Sequence, residues 1–160
     1  MPPSDTPPLV ELRDVTKAYA EGDTVREVLS GVQLSLRRGE FVVLLGRSGS
    51  GKSTLLNLIS GIDLPTRGEL RVDGRELVKL SERERTLLRR ERIGFIFQAF
   101  NLLPTLTVEE NVRLPLELNG QPAPEAAAKS RALLEQVGLG TRAGSFPDRL
   151  SGGEQQRVAV

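Results

Sequence analysis

The sequence predicts an α/β protein in two parts, strand-rich up to Gln98 and helical from about residue 99. Three observations lead there. A short apolar run, Glu40-Phe41-Val42-Val43-Leu44-Leu45, feeds Gly46-Arg47-Ser48-Gly49-Ser50-Gly51-Lys52-Ser53, and Thr54 to Ser60 then reads as a helix. Segments at 9–15, 28–36, 69–74 and 93–97 carry the two-residue alternation or the apolar density of strands. Beyond Gln98 the pattern changes to capped, amphipathic helices.

Leu9 to Val15 alternates apolar and polar residues, as a half-buried strand does. Val28 to Leu36 is a second strand, and Ser30-Gly31 suggests a bulge or bend in it. Arg38-Gly39 turns into the run at 40–45. Pro65 to Gly68 is a turn, and Glu69 to Gly74 a strand closed by Asp-Gly. Ser81 and Glu84 have capping-box spacing and open a helix through about Arg92, whose mixed charges describe a solvated face rather than a nucleic-acid patch. Ile93 to Phe97 reads as a buried strand ending at Gln98. Thr107 and Glu110 form another capping box, and Pro115 is expected to kink or end the helix that follows. Pro122 to Val137 reads as an amphipathic helix with Ala126, Leu133, Leu134 and Val137 inward and Gly138 as its stop.

The 160 residues suffice for an ordinary domain with a core, and 38% hydrophobic with 27% charged residues is a globular balance. A net charge of +1 gives no overall field toward nucleic acid or an anionic membrane. With no cysteine there are no disulfides or thiolate metal sites, and with no histidine the usual general base is missing. No apolar run approaches the roughly 20 residues needed to cross a bilayer, and no signal-peptide core stands at the N-terminus. The expectation is a cytosolic protein. Met1 to Pro8, rich in proline, is expected to be a disordered lead-in.

The chemistry starts at Gly46–Ser53, which fits G-x-x-x-x-G-K-[ST], the phosphate-binding loop, in its strand–loop–helix setting. Glycines let backbone N–H groups turn toward phosphate oxygens, and the new helix adds its positive end. Lys52 is expected to reach the β- and γ-phosphates, and the Ser53 hydroxyl to ligate Mg2+. Gly46, Ser48, Gly49, Ser50, Gly51, Lys52, Ser53 and the adjoining Thr54 are thus the candidate nucleotide contacts. A second constellation, Leu150-Ser151-Gly152-Gly153-Glu154-Gln155-Gln156, precedes a helix. Locally it is a well-made helix start, with Ser151 as cap and Glu154 three residues on. Two glycines and a hydroxyl at a helix N-terminus also suit an anion.

The loop, Gln98 and LSGGEQQ, in this order, resemble the ATP-binding-cassette (ABC) transporter ATPases, of which LSGGEQQ is the signature. GIDLPTRGELRVDG, IGFIFQAFNLLPTLTVEENVRLPLEL and SGGEQQRVAV are similar to the branch that powers macrolide exporters and lipoprotein-releasing complexes. The resemblance runs from Leu9 onward. It implies a P-loop NTPase (RecA-like) core with an N-terminal antiparallel β subdomain, over 9–98, and a helical signature subdomain over 99–157. It implies that Tyr19 stacks on adenine, and that Gln98 completes the Mg2+ shell and senses the attacking water. Ser151, Gly152 and Gly153 would contact the γ-phosphate of ATP held by a second ATPase head, in a head-to-tail dimer. The implied partners are that second copy and a membrane permease, which places the protein at the inner face of the cell membrane.

Two family features are missing from these residues: four apolar residues followed by Asp-Glu, the Walker B strand, and a switch histidine. The expectation is therefore an N-terminal portion, with 158–160 starting a remainder and the C-terminal part of the core absent. The 160 residues alone are expected to bind ATP without turning it over, and Val42 to Leu45 to lack a neighbouring strand. The alternative is a short nucleotide-binding regulatory protein that does not hydrolyse ATP. A repair or translation factor is disfavoured by NLLPTLTVEENV, which resembles transporter-facing sequence.

Overall fold

The computed structural model describes residues 7–160, so Met1 to Thr6 of the expected lead-in lie outside the described residues. The chain divides into two compact units, the first ending at Ile93 and the second running Gly94–Val160.

In the first unit β1 (Val10–Glu21), β2 (Thr24–Leu36), β3 (Arg67–Val72) and β4 (Arg75–Glu76) form one antiparallel sheet in the order β2-β1-β3-β4. Val10 lies opposite Val72 and Leu12 opposite Leu70, so alternate residues of β1 and β3 share one face. That face is buried with Leu55 and Leu58 of α1 (Lys52–Ile59), Leu77, and Leu88 of α2 (Glu82–Arg92). Burying each such leucine contributes about 1.5–3 kcal/mol, so this cluster is what holds α1 onto the sheet. The capping box expected at Ser81 and Glu84 is formed at the start of α2.

Both long strands exceed what their periodicity suggests. They run on past Val15 and back before Val28 to meet at Gly22-Asp23, with Gly22 at φ 61. Gly-Asp is a hairpin signal, but residues 19–27 are all exposed, so no buried face imposes a period there. β1 carries register shifts between Leu12 and Ala18, with Asp14 at φ 51. The bend expected at Ser30-Gly31 sits opposite: Gly31 has φ 55, and its N–H donates to the buried Thr16 Oγ1 at 3.1 Å. Bulges twist and re-aim a strand. Beyond this one, β1 continues to Tyr19.

The runs expected as strands at 40–45 and 93–97 are not strands. A strand forms only when its N–H and C=O groups meet a neighbour's, and among the described residues no strand pairs with either run. Phe41 is 93% and Leu45 85% exposed, so apolarity alone has not made them core. The α/β class holds, with its described sheet wholly antiparallel.

The second unit holds α3 (Val108–Leu118), α4 (Ala123–Gln136) and α5 (Gly152–Ala159), packed around Val108, Leu134, Leu139 and Leu150. Thr107 and Glu110 form the expected capping box. Pro115 does not end α3, which continues to Leu118, because the missing N–H forfeits one bond while the following turn keeps Pro115 O as an acceptor for Asn119 N at 3.1 Å. In α4 Ala126 and Leu134 are buried as expected, but Leu133 and Val137 are not; the fully buried third position is Ser130, whose hydroxyl donates to Ala127 O. Leu133 and Val137 instead line an apolar hollow of about 550 Å³ with Phe95, Phe97 and Val158. Gly138, at φ 73, stops the helix, with Leu139 N returning to Leu134 O at 2.7 Å.

Asn111 ties the approach to α3. Its Nδ2 donates among the carbonyls of Leu103, Leu106 and Thr107, and its Oδ1 accepts from Leu103 N at 2.7 Å. Replacing Asn111 by alanine is expected to lower the stability of this unit by about 2 kcal/mol, seen as a lower urea midpoint; an unchanged midpoint would show that water replaces these bonds.

Candidate nucleotide site

The phosphate loop leaves the exposed run at 40–45 and closes on α1, whose N-cap is Gly51 at φ 85. Left-handed backbone at that point suits glycine, and space demands it as well. A Cβ on Gly51 would stand 2.8 Å from Leu29 Cδ2 and 3.1 Å from Val28 O, so the loop lies directly on β2. A Cβ on Gly46 would meet Ser50 Oγ at 2.6 Å. Inside the loop Ser50 N donates to Arg47 O at 3.2 Å.

The helix starts are unequal. α2, α3 and α5 each begin with a serine or threonine that forms a capping box with a glutamate three residues on. α1 begins on a glycine with no side-chain cap bond and no acidic residue in its first turn. Its first N–H groups therefore keep their partial positive charge for an external acceptor. Lys52 Nζ donates to Gly46 O at 2.8 Å and Arg47 O at 2.7 Å, with Ser50 Oγ at 3.5 Å. The ammonium is thus held over the loop by neutral carbonyls, and among the described residues it forms no ion pair with a carboxylate.

A cavity of about 470 Å³ opens beside the loop, lined by Ser48, Gly49, Gly51, Lys52, Ser53 and Thr54 at one part and by Val28, Tyr19, Glu21 and Arg26 of the hairpin at another. The structure so brings Tyr19 into one cavity with the loop, although 27 residues or more separate them in sequence. Tyr19 is 37% exposed, and its hydroxyl donates to Asp63 Oδ2 at 2.7 Å. Asp63 follows α1 directly: Ile62 N and Asp63 N both donate to Asn57 O. The Asp63 hydrogen bond, with some burial, raises the Tyr19 phenol above its ordinary pKa, the Thr54 hydroxyl acting in the opposite sense. Lys17, Glu21, Arg26 and Asp63 were not singled out from the sequence. Lys17-x-Tyr19-x-Glu21 on an alternating strand was a usable signal; Asp63 carried none.

In the second unit Gln98 is exposed, in a turn after the run at 93–97. Ser151 caps α5: its N–H and hydroxyl donate to Glu154 Oε2, both at 2.8 Å, and Glu154 N donates back to Ser151 Oγ at 3.3 Å. These bonds from Ser151 hold the Glu154 carboxyl below its usual range. Gln155 Nε2 donates to Pro147 O and Leu150 O, fixing the approach. Gly152 and Gly153 are exposed, and a Cβ on Gly152 would meet nothing within 4 Å. Local packing therefore leaves that position open to any small residue. Among the described residues no cluster of three acidic, histidine or cysteine side chains could hold a metal ion, and no helix is long and apolar enough to cross a membrane.

Comparison with known proteins identifies the family and the fold. An uncharacterized ABC transporter ATP-binding protein of Mycobacterium tuberculosis is 54% identical over 153 residues, covering 96% of this chain and 62% of that protein. The macrolide export ATP-binding/permease protein MacB of Hyphomonas neptunium is 48% identical over 155 residues, 97% of this chain and 24% of that protein. The dimeric post-hydrolysis state of the ATP-binding cassette MJ0796 bound to ADP and Pi superposes with a TM-score of 0.84 at 44% identity, over 94% of this chain and 66% of that one. The chain spans about 62% of the first of these relatives and a smaller share of the second. The ABC transporter family profile matches residues 29–160, and the chain belongs to that family.

Proposed function

We propose that this chain is the ATP-binding part of an export or cargo-release transporter. The observation that carries the proposal is the 470 Å³ cavity joining the glycine-capped start of α1, with its ammonium held by backbone carbonyls, to an aromatic side chain. A triphosphate suits the first and a nucleobase the second. Lys52 and the backbone of Gly46, Ser48, Gly49, Ser50, Gly51, Ser53 and Thr54 hold the phosphates, and Tyr19 stacks on adenine. The Ser53 hydroxyl would hold Mg2+, an ion that takes few protein ligands where phosphate oxygens and water fill the rest of its shell, and the ion would supply neutralisation of phosphate charge there. Gln98 is the second proposed ligand, on the resemblance alone.

The only carboxylate lining the cavity among the described residues, Glu21, pairs with Arg26 at 3.4 Å, two residues from Tyr19. It sits with the aromatic ring rather than in the phosphate loop. The 160 residues are accordingly proposed to bind ATP without hydrolysing it. In the full-length protein, Ser151, Gly152 and Gly153 of a second copy close on the γ-phosphate, so that ATP binding and hydrolysis drive a membrane permease from the cytoplasmic face. The MacB relative, named as a macrolide export ATP-binding/permease protein, supports export. The solved dimer with ADP and Pi supports paired heads.

The test is Gly153→Asp in the full-length protein. A carboxylate placed where a phosphate docks costs several kcal/mol by like-charge repulsion, so turnover is expected to fall about 100-fold or more. ATP binding by the monomer is expected to stay within about twofold, since a Cβ on Gly153 would meet only the flexible tip of Arg157, at 3.9 Å. Hydrolysis at the parental rate by this variant would overturn the two-surface reading.

A further inference from the structure

Three side chains around the aromatic end of the cavity are joined more tightly than an exposed strand end requires. Tyr19 Oη donates to Asp63 Oδ2 at 2.7 Å. Asp63 Oδ1 accepts from Lys17 Nζ at 2.5 Å and from Leu64 N at 2.7 Å. Lys17 Nζ also donates to Leu64 O at 2.8 Å and stands over the Tyr19 ring, 4.8 Å from its centroid. The Lys17 side chain is only 12% exposed. Lysine belongs in water unless paired, so a nearly buried ammonium with three partners marks a specific arrangement.

We propose that Asp63 and Lys17 are positioning residues for Tyr19, fixing its ring in the orientation that stacks on a purine base. This rests on Tyr19 being the base-stacking residue. Asp63 pins the tip of the ring, and Lys17 occupies one face by a cation–π contact. Tyr19 lines the cavity whereas Lys17 and Asp63 do not, so the cavity meets the ring and not its supports. The placement of Asp63 follows from α1. That helix begins at Lys52 on the phosphate loop and, about 12 Å long for eight residues, delivers Asp63 just past its other end. One rigid element therefore sets both the phosphate position and the ring tether.

Charge within the cluster is consistent with this. Burial works to raise the Asp63 pKa, but the hydrogen bonds from Lys17 and then Tyr19 outweigh it and hold the carboxyl below its ordinary value. Asp63 is thus an anionic acceptor at neutral pH, the form that grips a phenol most firmly. Without the tether the ring must be ordered at each binding event, which weakens base binding by about fivefold. The triphosphate, held by the loop, is not affected.

The experiment compares ATP with inorganic tripolyphosphate, which has the phosphates and no base, by titration calorimetry on the full-length protein. Asp63→Ala is expected to weaken ATP about fivefold and to leave tripolyphosphate within about twofold. Tyr19→Phe, which keeps the ring and loses the tether, should do the same. Added to Tyr19→Ala, the Asp63 change should have no further effect on ATP, a coupling that a merely structural link between β1 and α1 would not produce. Equal weakening of both ligands by Asp63→Ala would overturn the proposal, because it would place Asp63 in the support of the phosphate loop. So would an unchanged ATP affinity in Asp63→Ala when Tyr19→Ala does weaken it. If Tyr19→Ala itself leaves ATP binding untouched, the stacking reading fails, and this inference fails with it.

Discussion

Lys52→Ala is expected to weaken ATP binding by about 30- to 100-fold and to bring hydrolysis by the full-length protein below detection. The ammonium is the only charged side chain inside the Gly46–Ser53 loop apart from Arg47, and carbonyls rather than a carboxylate hold it. Exchanging Gly46 O and Arg47 O for phosphate oxygens replaces neutral acceptors with charged ones. Charge-assisted bonds of this kind contribute about 1.5–3 kcal/mol each, and tenfold in affinity corresponds to about 1.4 kcal/mol. Lys52 carries no packing that α1 depends on; Leu55 and Leu58 do that. The melting temperature of Lys52→Ala should therefore match the parent, which separates lost binding from lost folding. Calorimetric titration with ATP and a phosphate-release assay decide the matter: parental affinity in this variant would remove the loop from the nucleotide site.

Gly68→Ala is expected to be the most damaging single-methyl change in the first unit. Gly68 has φ +90, and a Cβ there would stand 2.3 Å from Asp14 O and 2.6 Å from Asp14 C. Those atoms belong to the bulged part of β1, where its pairing with β3 shifts between Arg13 and Thr16. Backbone atoms cannot rotate aside as a side-chain tip can. Either β3 lifts from β1, separating Leu70 from Leu12, or the bulge unwinds. Strain in a left-handed position and a backbone overlap together cost about 3 kcal/mol or more, and for a unit of this size the midpoint should drop by at least about 12 °C. Gly74, also at positive φ but with nothing within 4 Å of its Cβ position, is the control, with a smaller loss from φ strain alone. Equal effects at the two positions would show that conformation, not contact, dominates at Gly68.

Much was legible because it depends on neighbours in the chain. Capping boxes at Ser81, Thr107 and Ser151 need only a hydroxyl and a carboxylate three residues apart, and all three form. The glycine loop and the helix after it follow from local backbone freedom at Gly49 and Gly51. Alternation in Leu9 to Val15 and in 69–74 marked strands because one face of each is buried. The extension of β1 to Tyr19 and Glu21 was not legible, since both faces there meet water. Leu133 and Val137 were assigned inward by helical period, but the surrounding helices leave a hollow beside them.

The phosphate-loop motif at Gly46 to Ser53 was legible from the sequence alone, as was the family resemblance from that loop, Gln98 and the signature at 150–156. Whether an apolar run becomes a strand was not: Phe41 to Leu45 and Ile93 to Phe97 have strand composition and among the described residues stay unpaired, because a strand's hydrogen bonds lie on another segment. The resemblance pointed to Tyr19, but what surrounds its ring was left to tertiary structure. Tyr19 comes to the loop through the bulge in β1 and the packing of α1 on the sheet, and its tether, Asp63, is 44 residues away in the chain. Local pattern reports what each residue can do with its own backbone; only folding determines which distant group it meets.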